Sequence, residues 1–318
     1  RQFRDRDKPK AEVERRDLPS VSAYLAHARR HFGFQPERIP EREFKRRYAR
    51  EALRLGLTKD QIVRIYALET GGYGTADMQA GVHPISGKGR PISSALGYAQ
   101  LLAANSINVL SKHGGSFFER LSANVRETRD AARRRQLEDK LKVLRRMVRT
   151  AKSVPYRWSR HVQFSRTPRG MALHVMNMDG DIGPWMQVVK IADLKRMAER
   201  KGRPRLSGAE IELMNLAGPA TGLEMMLATG IDTPTANFFS RRGYYRNSVV
   251  RGRDSKGLLE ALETRMQANI KNKGAQEFLA VFDGLLAGRP KPPRPVLAPR
   301  ASNDPPPYPF QGSTLTAR

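Results

Sequence analysis

The feature that most constrains the fold is a long stretch that lacks helix-breaking residues. Between Ser116 and Ser153 the chain contains neither glycine nor proline, the two residues least compatible with a helix interior. The apolar residues of this stretch form an intermittent stripe at helical spacing: Phe117, Leu121, Val125, Leu137, Leu141, Leu144 and Val148. Arginine clusters lie between them. The pattern predicts a long helix or a helical hairpin with a solvated basic face, in a mainly α-helical protein.

Composition sets the limits of the interpretation. A chain of 318 residues, 39% hydrophobic and 28% charged, is typical of a globular protein with one large or two modest domains. The absence of cysteine excludes disulfides and thiolate metal sites, and is compatible with an oxidising compartment. No apolar run approaches the length of a membrane span. Arg1 stands in place of an initiator methionine, which indicates either a removed signal peptide or the edge of a longer protein.

The charge is strongly positive, with 58 Lys and Arg against 31 Asp and Glu, a net +27. This balance predicts attraction to a polyanion. Nucleic acid is the first class to consider, but the sequence has no zinc-finger spacing, basic zipper or RNA-binding motif. Bacterial envelopes offer other polyanions, namely the carboxylates of peptidoglycan stem peptides, lipopolysaccharide phosphates and lipid headgroups. The missing motifs count against a nucleic acid as the partner, but the charge alone does not identify which polyanion is bound.

Glu69 is the one residue whose surroundings resemble those of a general acid. The segment from Thr58 to Gln61 is a capping-box pattern, and Gly71 is a natural helix stop. Glu69 shares a helix face with Ile62, Ile65 and Tyr66. Partial burial and the negative end of the helix dipole both raise the pKa of a carboxyl at this position. The alternative is an ordinary glutamate in the last turn of a surface helix.

Two stretches around this glutamate resemble the catalytic region of the lytic transglycosylases of the lysozyme superfamily. In that family a glutamate followed by a small hydroxyl residue ends a helix, as in residues 67–72. A glycine–apolar–apolar–glutamine turn then faces it, as in residues 97–100. Residues 215–219 are similar to the later tyrosine-asparagine-alanine-glycine-proline motif, with Asn215 in the place of the tyrosine. The resemblance covers roughly residues 55–110 and 205–265.

The resemblance implies a mainly α fold with a lysozyme-like catalytic core, a helical insertion and flexible termini. Its core is predicted to comprise residues 46–114 and 205–285. A basic helical insertion spans 115–204 between them. Residues 1–45 form a basic arm and helix, and residues 286–318 form a proline-rich tail.

The resemblance also implies a reaction that needs neither a cofactor nor a metal. Protonated Glu69 would donate to the oxygen that links N-acetylmuramic acid to N-acetylglucosamine in peptidoglycan, with the substrate's acetamido group assisting. Ionised Glu69 would then accept the proton of the muramyl C6 hydroxyl as a 1,6-anhydro ring closes. The implied substrate-binding residues are Thr70, Tyr73, Tyr98, Gln100 and Asn215. The implied location is the periplasm or cell envelope, with the insertion and tail contacting an anionic envelope surface or an envelope protein.

Two other functions stay open on the sequence. Asp77 lies near enough in sequence to act as the second acid of a hydrolytic muramidase, although a local turn residue is the more ordinary role. A non-catalytic basic scaffold that binds peptidoglycan or nucleic acid is the second alternative. Asn215 in the place of the family's tyrosine is the feature that keeps this alternative open.

Three further patterns carry expectations for the central segment. Alternation around Leu173 and Val175 predicts a strand over residues 171–178. Residues 177–181 resemble a fragment of a calcium loop, but the closing glutamate is missing, so a turn is predicted. Trp158 and Trp185 are candidates for a glycan groove, with a place in the core as the favoured alternative for each.

Overall fold

The computed structural model describes residues 18–288. Residues 1–17 of the predicted basic arm and most of the predicted proline-rich tail therefore lie outside the described residues. Thirteen α-helices form within this range. The first seven are α1 (Val21–Phe32), α2 (Glu41–Arg54), α3 (Lys59–Thr70), α4 (Ala103–Glu127), α5 (Ala131–Lys152), α6 (Trp158–Phe164) and α7 (Pro168–His174). The others are α8 (Gly183–Arg200), α9 (Gly208–Ala217), α10 (Pro219–Met225), α11 (Arg241–Arg246), α12 (Ser255–Asn269) and α13 (Lys273–Ala287).

The prediction of a mainly α-helical protein is confirmed. Within residues 18–288 no strand forms, and β-pairing is limited to isolated bridges such as Gln79 with Leu96. None of the described helices has both the length and the apolar character that a bilayer span requires. The described residues up to Ala287 form one compact unit.

The stretch between Ser116 and Ser153 forms a helical hairpin, which was one of the two predicted forms. Helix α4 ends at Glu127, and the hydroxyl of Thr128 donates back to the carbonyl of Asn124 at 2.6 Å. Asp130 then caps α5 by accepting the N–H of Arg133 at 2.6 Å. The two helices pack along their lengths. A Cβ on Gly114 would lie 2.5 Å from a methyl of Val148, so the glycine permits this close approach.

The predicted strand over residues 171–178 is wrong. Thr167 caps α7, Pro168 occupies its first turn, and a 3₁₀ turn (Val175–Met178) continues it. Residues 172–178 are all buried, so the apparent alternation did not separate a buried face from a solvated one. Threonine followed by proline is an ordinary helix start.

Three of the predicted domain boundaries fall inside continuous helices. The limit at residue 45 lies within α2, the limit at residue 114 lies within α4, and the limit at residue 285 lies within α13. Helix α8, from the predicted insertion, packs against α2, α4 and α9. The helices of segment 115–204 therefore share their core with the helices before and after them.

A buried ionic cluster joins α5 to the turn before α8. Lys140 Nζ pairs with Asp179 at 3.0 Å and with Glu37 at 2.8 Å, and it also contacts Asp181. Arg133 pairs with Glu37 and Asp181 at 2.6 and 2.7 Å. Asp179 is fully buried and accepts backbone N–H groups as a turn residue does. The expected turn is confirmed, and its carboxylates neutralise a lysine and an arginine.

Candidate active site

The helix that carries Glu69 begins and ends as predicted. Thr58 and Gln61 form a reciprocal capping box, in which Thr58 Oγ1 accepts the Gln61 N–H at 3.2 Å and Gln61 Oε1 accepts the Thr58 N–H at 3.0 Å. Gly71 ends α3 with a left-handed φ of 66°. Glu69 therefore lies in the last turn of α3, where the unpaired carbonyls of the helix disfavour negative charge.

A second carboxyl, that of Glu212, faces Glu69 from α9. Helix α9 starts at a capping box made by Ser207 and Glu210, and it packs against α3. This packing places the side chain of Glu212 within hydrogen-bonding reach of the Glu69 carboxyl. Glu212 is only 5% exposed, whereas Glu69 keeps partial access to solvent. Sequence analysis did not identify Glu212, although a charged residue among Ile211, Leu213 and Met214 was a usable signal.

The adjacent carboxyl of Glu212 disfavours the ionised form of Glu69. Burial, then the charge of Glu212, then the hydrogen bond to it raise the pKa of Glu69 well above the usual range. Burial also raises the pKa of Glu212, but hydrogen bonds from Glu69 and Asn215 and the positive charge of Lys190 oppose that effect. Two adjacent carboxyls in a dry site cannot both ionise cheaply. The raised pKa of Glu69 therefore favours its protonated form.

Two further side chains set the electrostatics of this pair. The Tyr48 hydroxyl on α2 is buried, and burial and the charges of Glu212 and Glu69 raise its pKa. Lys190 on α8 has a pKa lowered by burial, an effect that the charges of Asp193 and Glu212 oppose. Tyr48 therefore stays neutral, and Lys190 favours the ionised form of Glu212.

The predicted glycine–glutamine turn is tightly closed and is anchored to α8. Leu96 and Leu101 exchange backbone hydrogen bonds at 2.9 and 3.0 Å. Gln100 adopts a left-handed φ of 44°, and its side-chain amide donates to the Gly97 carbonyl at 2.7 Å. Gln187 of α8 accepts the N–H of Ala99 at 3.1 Å. Lys190, three residues after Gln187, acts on Glu212. Helix α8 therefore interacts with the turn through Gln187 and with the acid pair through Lys190.

The loop that follows Glu69 is clamped by the connection between α12 and α13. Asn269 donates to the Ala67 carbonyl at 3.0 Å, and Asn272 donates to the Gly71 carbonyl at 2.7 Å. A Cβ on Gly72 would lie 2.3 Å from the carbonyl oxygen of Asn269. Close backbone packing and a φ of 77° therefore both require glycine at position 72.

Two of the predicted substrate-binding residues lie in the core. The Thr70 hydroxyl is buried and donates to the Tyr66 carbonyl at 2.6 Å. Tyr98 is 1% exposed, and its hydroxyl donates to Glu41 at 2.5 Å. Its ring is enclosed by other aromatic rings: Phe44, Tyr48, Tyr66 and Phe278. The ring of Tyr98 therefore has no free face for a sugar, which contradicts its predicted role in substrate binding.

The other three predicted substrate-binding residues keep accessible surface. Tyr73 is exposed, and its hydroxyl donates to Asn272 at 3.0 Å. Gln100 is partly exposed at the turn. Asn215 is exposed at the end of α9, and its amide lies 3.5 Å from Glu212. Asn215 therefore belongs to the surroundings of the acid pair.

The remaining candidates of the sequence analysis are placed as follows. Asp77 pairs with Arg38 at 2.8 Å and accepts the Thr75 hydroxyl at 2.8 Å, which is the local role of a turn residue. Trp185 is partly buried, with the Arg120 guanidinium 4.0 Å from its ring. Trp158 is 52% exposed, so the favoured expectation of a core position is wrong for this tryptophan.

Comparison of the chain with protein-family models, curated proteins and solved structures found no match. The site is therefore defined by its own geometry, a glutamate carboxyl at a helix end beside a second, buried carboxyl. The lysozyme-like core stays a prediction.

Replacing Glu212 by glutamine should lower the pKa of Glu69, because a neighbouring negative charge is removed while the shape is kept. The measurement is an NMR titration of the glutamate side-chain carboxyl carbons, with the Glu69 signal assigned through its absence in Glu69→Gln. Glu224→Gln, at an exposed position, is the matched control and should leave this pKa in place. An unchanged Glu69 titration in Glu212→Gln would contradict the effect of Glu212 on this pKa.

Proposed function

We propose that this protein is a peptidoglycan lytic transglycosylase that cleaves the bond between N-acetylmuramic acid and N-acetylglucosamine. The observation that supports the proposal is the acid pair, in which burial and the adjacent Glu212 raise the pKa of partly accessible Glu69 well above its usual range. A general acid for a glycosidic oxygen needs that raised pKa and that access.

The proposed reaction uses Glu69 twice. Its carboxyl proton passes to the glycosidic oxygen as the bond from C1 to that oxygen breaks, and the substrate's acetamido oxygen stabilises C1. The C6 hydroxyl oxygen of the same muramyl sugar then bonds to C1, and its proton returns to the Glu69 carboxylate. The products are a free N-acetylglucosamine hydroxyl and a 1,6-anhydromuramyl end. No water is consumed, so atoms and charges balance.

Glu212 acts on the proton of Glu69 and does not attack the sugar. Retaining glycosidases hold their two carboxyls about 5–5.5 Å apart, and inverting enzymes hold them farther apart. The Glu69 and Glu212 carboxyls are within direct hydrogen-bonding reach, which leaves no room for a sugar carbon between them. We assign Glu212 as a positioning residue, with Asn215 and Lys190 stabilising its charge.

The rest of the proposal concerns the substrate and location. Gln100, Tyr73 and Asn215 are the accessible polar residues proposed to hold the glycan strand. Peptidoglycan strands are the proposed partner, and the periplasm or cell envelope is the proposed location.

Mass spectrometry of purified peptidoglycan after incubation with the protein tests the proposal. Release of 1,6-anhydro-muropeptides is the expected result. Products with reducing muramyl ends would instead support the hydrolytic muramidase. No release from a substrate that a control muramidase digests would leave the non-catalytic scaffold.

Asp77→Asn should change the rate of muropeptide release by less than about twofold, because Asp77 is engaged by Arg38 and Thr75. A catalytic carboxylate would instead cost about two to four orders of magnitude. The measurement is the initial rate of soluble muropeptide release by both proteins at equal concentration. A loss of that size, with the thermal unfolding midpoint preserved, would assign the second acid to Asp77.

A further inference from the structure

One segment of the chain concentrates positive charge without any acid. Residues 140–178 contain ten Lys and Arg and no Asp or Glu. All of these cations except buried Lys140 are exposed: Lys142, Arg145, Arg146, Arg149, Lys152, Arg157, Arg160, Arg166 and Arg169. We call these nine residues, together with exposed Arg29 and Arg30 of α1, the acid-free face.

Packing of three helices joins part of this face. Arg146 of α5 donates to the Phe32 carbonyl at the end of α1, and the Arg169 guanidinium of α7 lies 6.0 Å from the Phe32 ring. Helix α1 packs against both α5 and α7. Burial and the charges of Arg30, His27 and Arg169 together lower the pKa of His31. Arg30, Arg146 and Arg169 therefore lie together around the end of α1.

Most of the face lacks compensating carboxylates. Within residues 18–288, Lys142 is paired with Asp139 at 2.9 Å, while the other members form no ion pair. Elsewhere in that range, arginines such as Arg47, Arg64 and Arg120 are paired with carboxylates. Clustered like charges repel one another, so this face is suited to an anionic partner.

Exposed apolar side chains adjoin the cations. Tyr156 and Trp158, at the start of α6, are 59% and 52% exposed and alternate with Arg157 and Arg160. Trp158 also borders a groove of about 690 Å³. The other apolar and cationic residues of that groove include Ile92, which is 66% exposed, and Leu102, Val162, Met171, Arg166 and Arg242.

We propose that the acid-free face docks on the surface of an anionic phospholipid bilayer. Arginine and lysine contribute about 1 kcal/mol each near such a surface, and tryptophan and tyrosine favour the headgroup level. Ile92 and Leu102 beside Trp158 supply aliphatic surface for the acyl boundary. A nucleic acid would engage the arginines and stack on the aromatic rings but would leave these aliphatic residues in water. The proposal is independent of Glu69.

Vesicle binding tests this surface with the full-length chain. We expect partition onto equimolar phosphatidylcholine–phosphatidylglycerol vesicles at low salt, with loss at high salt and on pure phosphatidylcholine. Arg157→Glu with Arg160→Glu should weaken partition by at least about tenfold. The matched control is Lys256→Glu with Arg265→Glu, two exposed α12 positions with the same change of net charge. This control should retain binding within about threefold, since its cations lie outside the face.

Tryptophan fluorescence reports the orientation of the bound protein on the vesicle. The chain has two tryptophans, so Trp185→Phe leaves Trp158 as the single reporter. Its emission should shift to the blue on the anionic vesicles and be quenched by brominated acyl chains. An unchanged emission with bound protein, equal loss in both charge-reversal pairs, or tighter binding to duplex DNA at matched salt would overturn the proposal. Glu69→Gln should bind vesicles as the unsubstituted chain does, which separates this result from the proposed catalysis.

Discussion

Glutamine in place of Glu69 is expected to reduce the release of anhydro-muropeptides by about two to four orders of magnitude. The amide nearly preserves the shape of the side chain and can still donate a hydrogen bond to Glu212. It has no proton of suitable acidity for the glycosidic oxygen and no carboxylate to accept the C6 hydroxyl proton. The measurement is the initial rate of release, with the products identified by mass spectrometry. A variant that retains more than a tenth of the rate would exclude Glu69 as the acid.

The stability of the same variant provides a control that does not depend on activity. Glu69 has a folded-state pKa raised above its ordinary value of 4.5, so between those two values the folded protein binds more protons than the unfolded chain. The free energy of unfolding of the natural sequence therefore falls as pH rises through this window. Glutamine does not titrate, so the free energy of unfolding of the variant, relative to that of the natural sequence, should rise as pH increases above 4.5. Thermal unfolding across this range measures the difference, and a pH-independent difference would contradict the buried acid.

Methionine in place of Lys140 should lower the free energy of unfolding by about 3–5 kcal/mol, the cost of removing one partner from a buried ion pair. The substitution leaves Asp179 and Asp181 facing each other with less compensating charge, and Asp179 is fully buried. Burial opposes the charge of Lys140, but those two carboxylates raise its pKa overall. Urea denaturation at neutral pH gives the change.

Lys142→Met, two residues away on the same helix, is the matched control for this substitution. Lys142 is exposed and pairs with exposed Asp139, so its loss should leave the free energy of unfolding nearly unchanged. Adding Asp179→Asn to Lys140→Met should recover part of the loss, because a buried charge is removed. Equal effects of the two lysine substitutions would show that the cluster adds no stability.

Local signals predicted the parts of the site that depend on neighbouring residues. The capping box of Thr58 and Gln61, the stop at Gly71 and the position of Glu69 between them are all formed within one helix. The hairpin of α4 and α5 followed in the same way from the absence of helix breakers. These features need no knowledge of distant contacts, since their hydrogen bonds are made within a few residues.

The parts that depend on tertiary packing were not predicted. Glu212 acquires its role only because α9 packs against α3, so no pattern near residue 69 indicates it. Tyr98 lies in a turn that resembles a ligand-binding loop, but its ring enters the aromatic core. Residues 172–178 are all buried, which removes the contrast that distinguishes a strand from a helix.

The clamp on the loop after Glu69 has a consequence for how the chain is made. Asn269 and Asn272, which hold the backbone beside the acid, follow their partners by 202 and 201 residues. During synthesis α3 leaves the ribosome long before these asparagines, and α9 with Glu212 also follows much later. A nascent chain therefore displays Glu69 without the geometry that raises its pKa. The acid pair matures only when nearly the whole compact unit has been translated, so unfinished chains would lack the paired carboxyls.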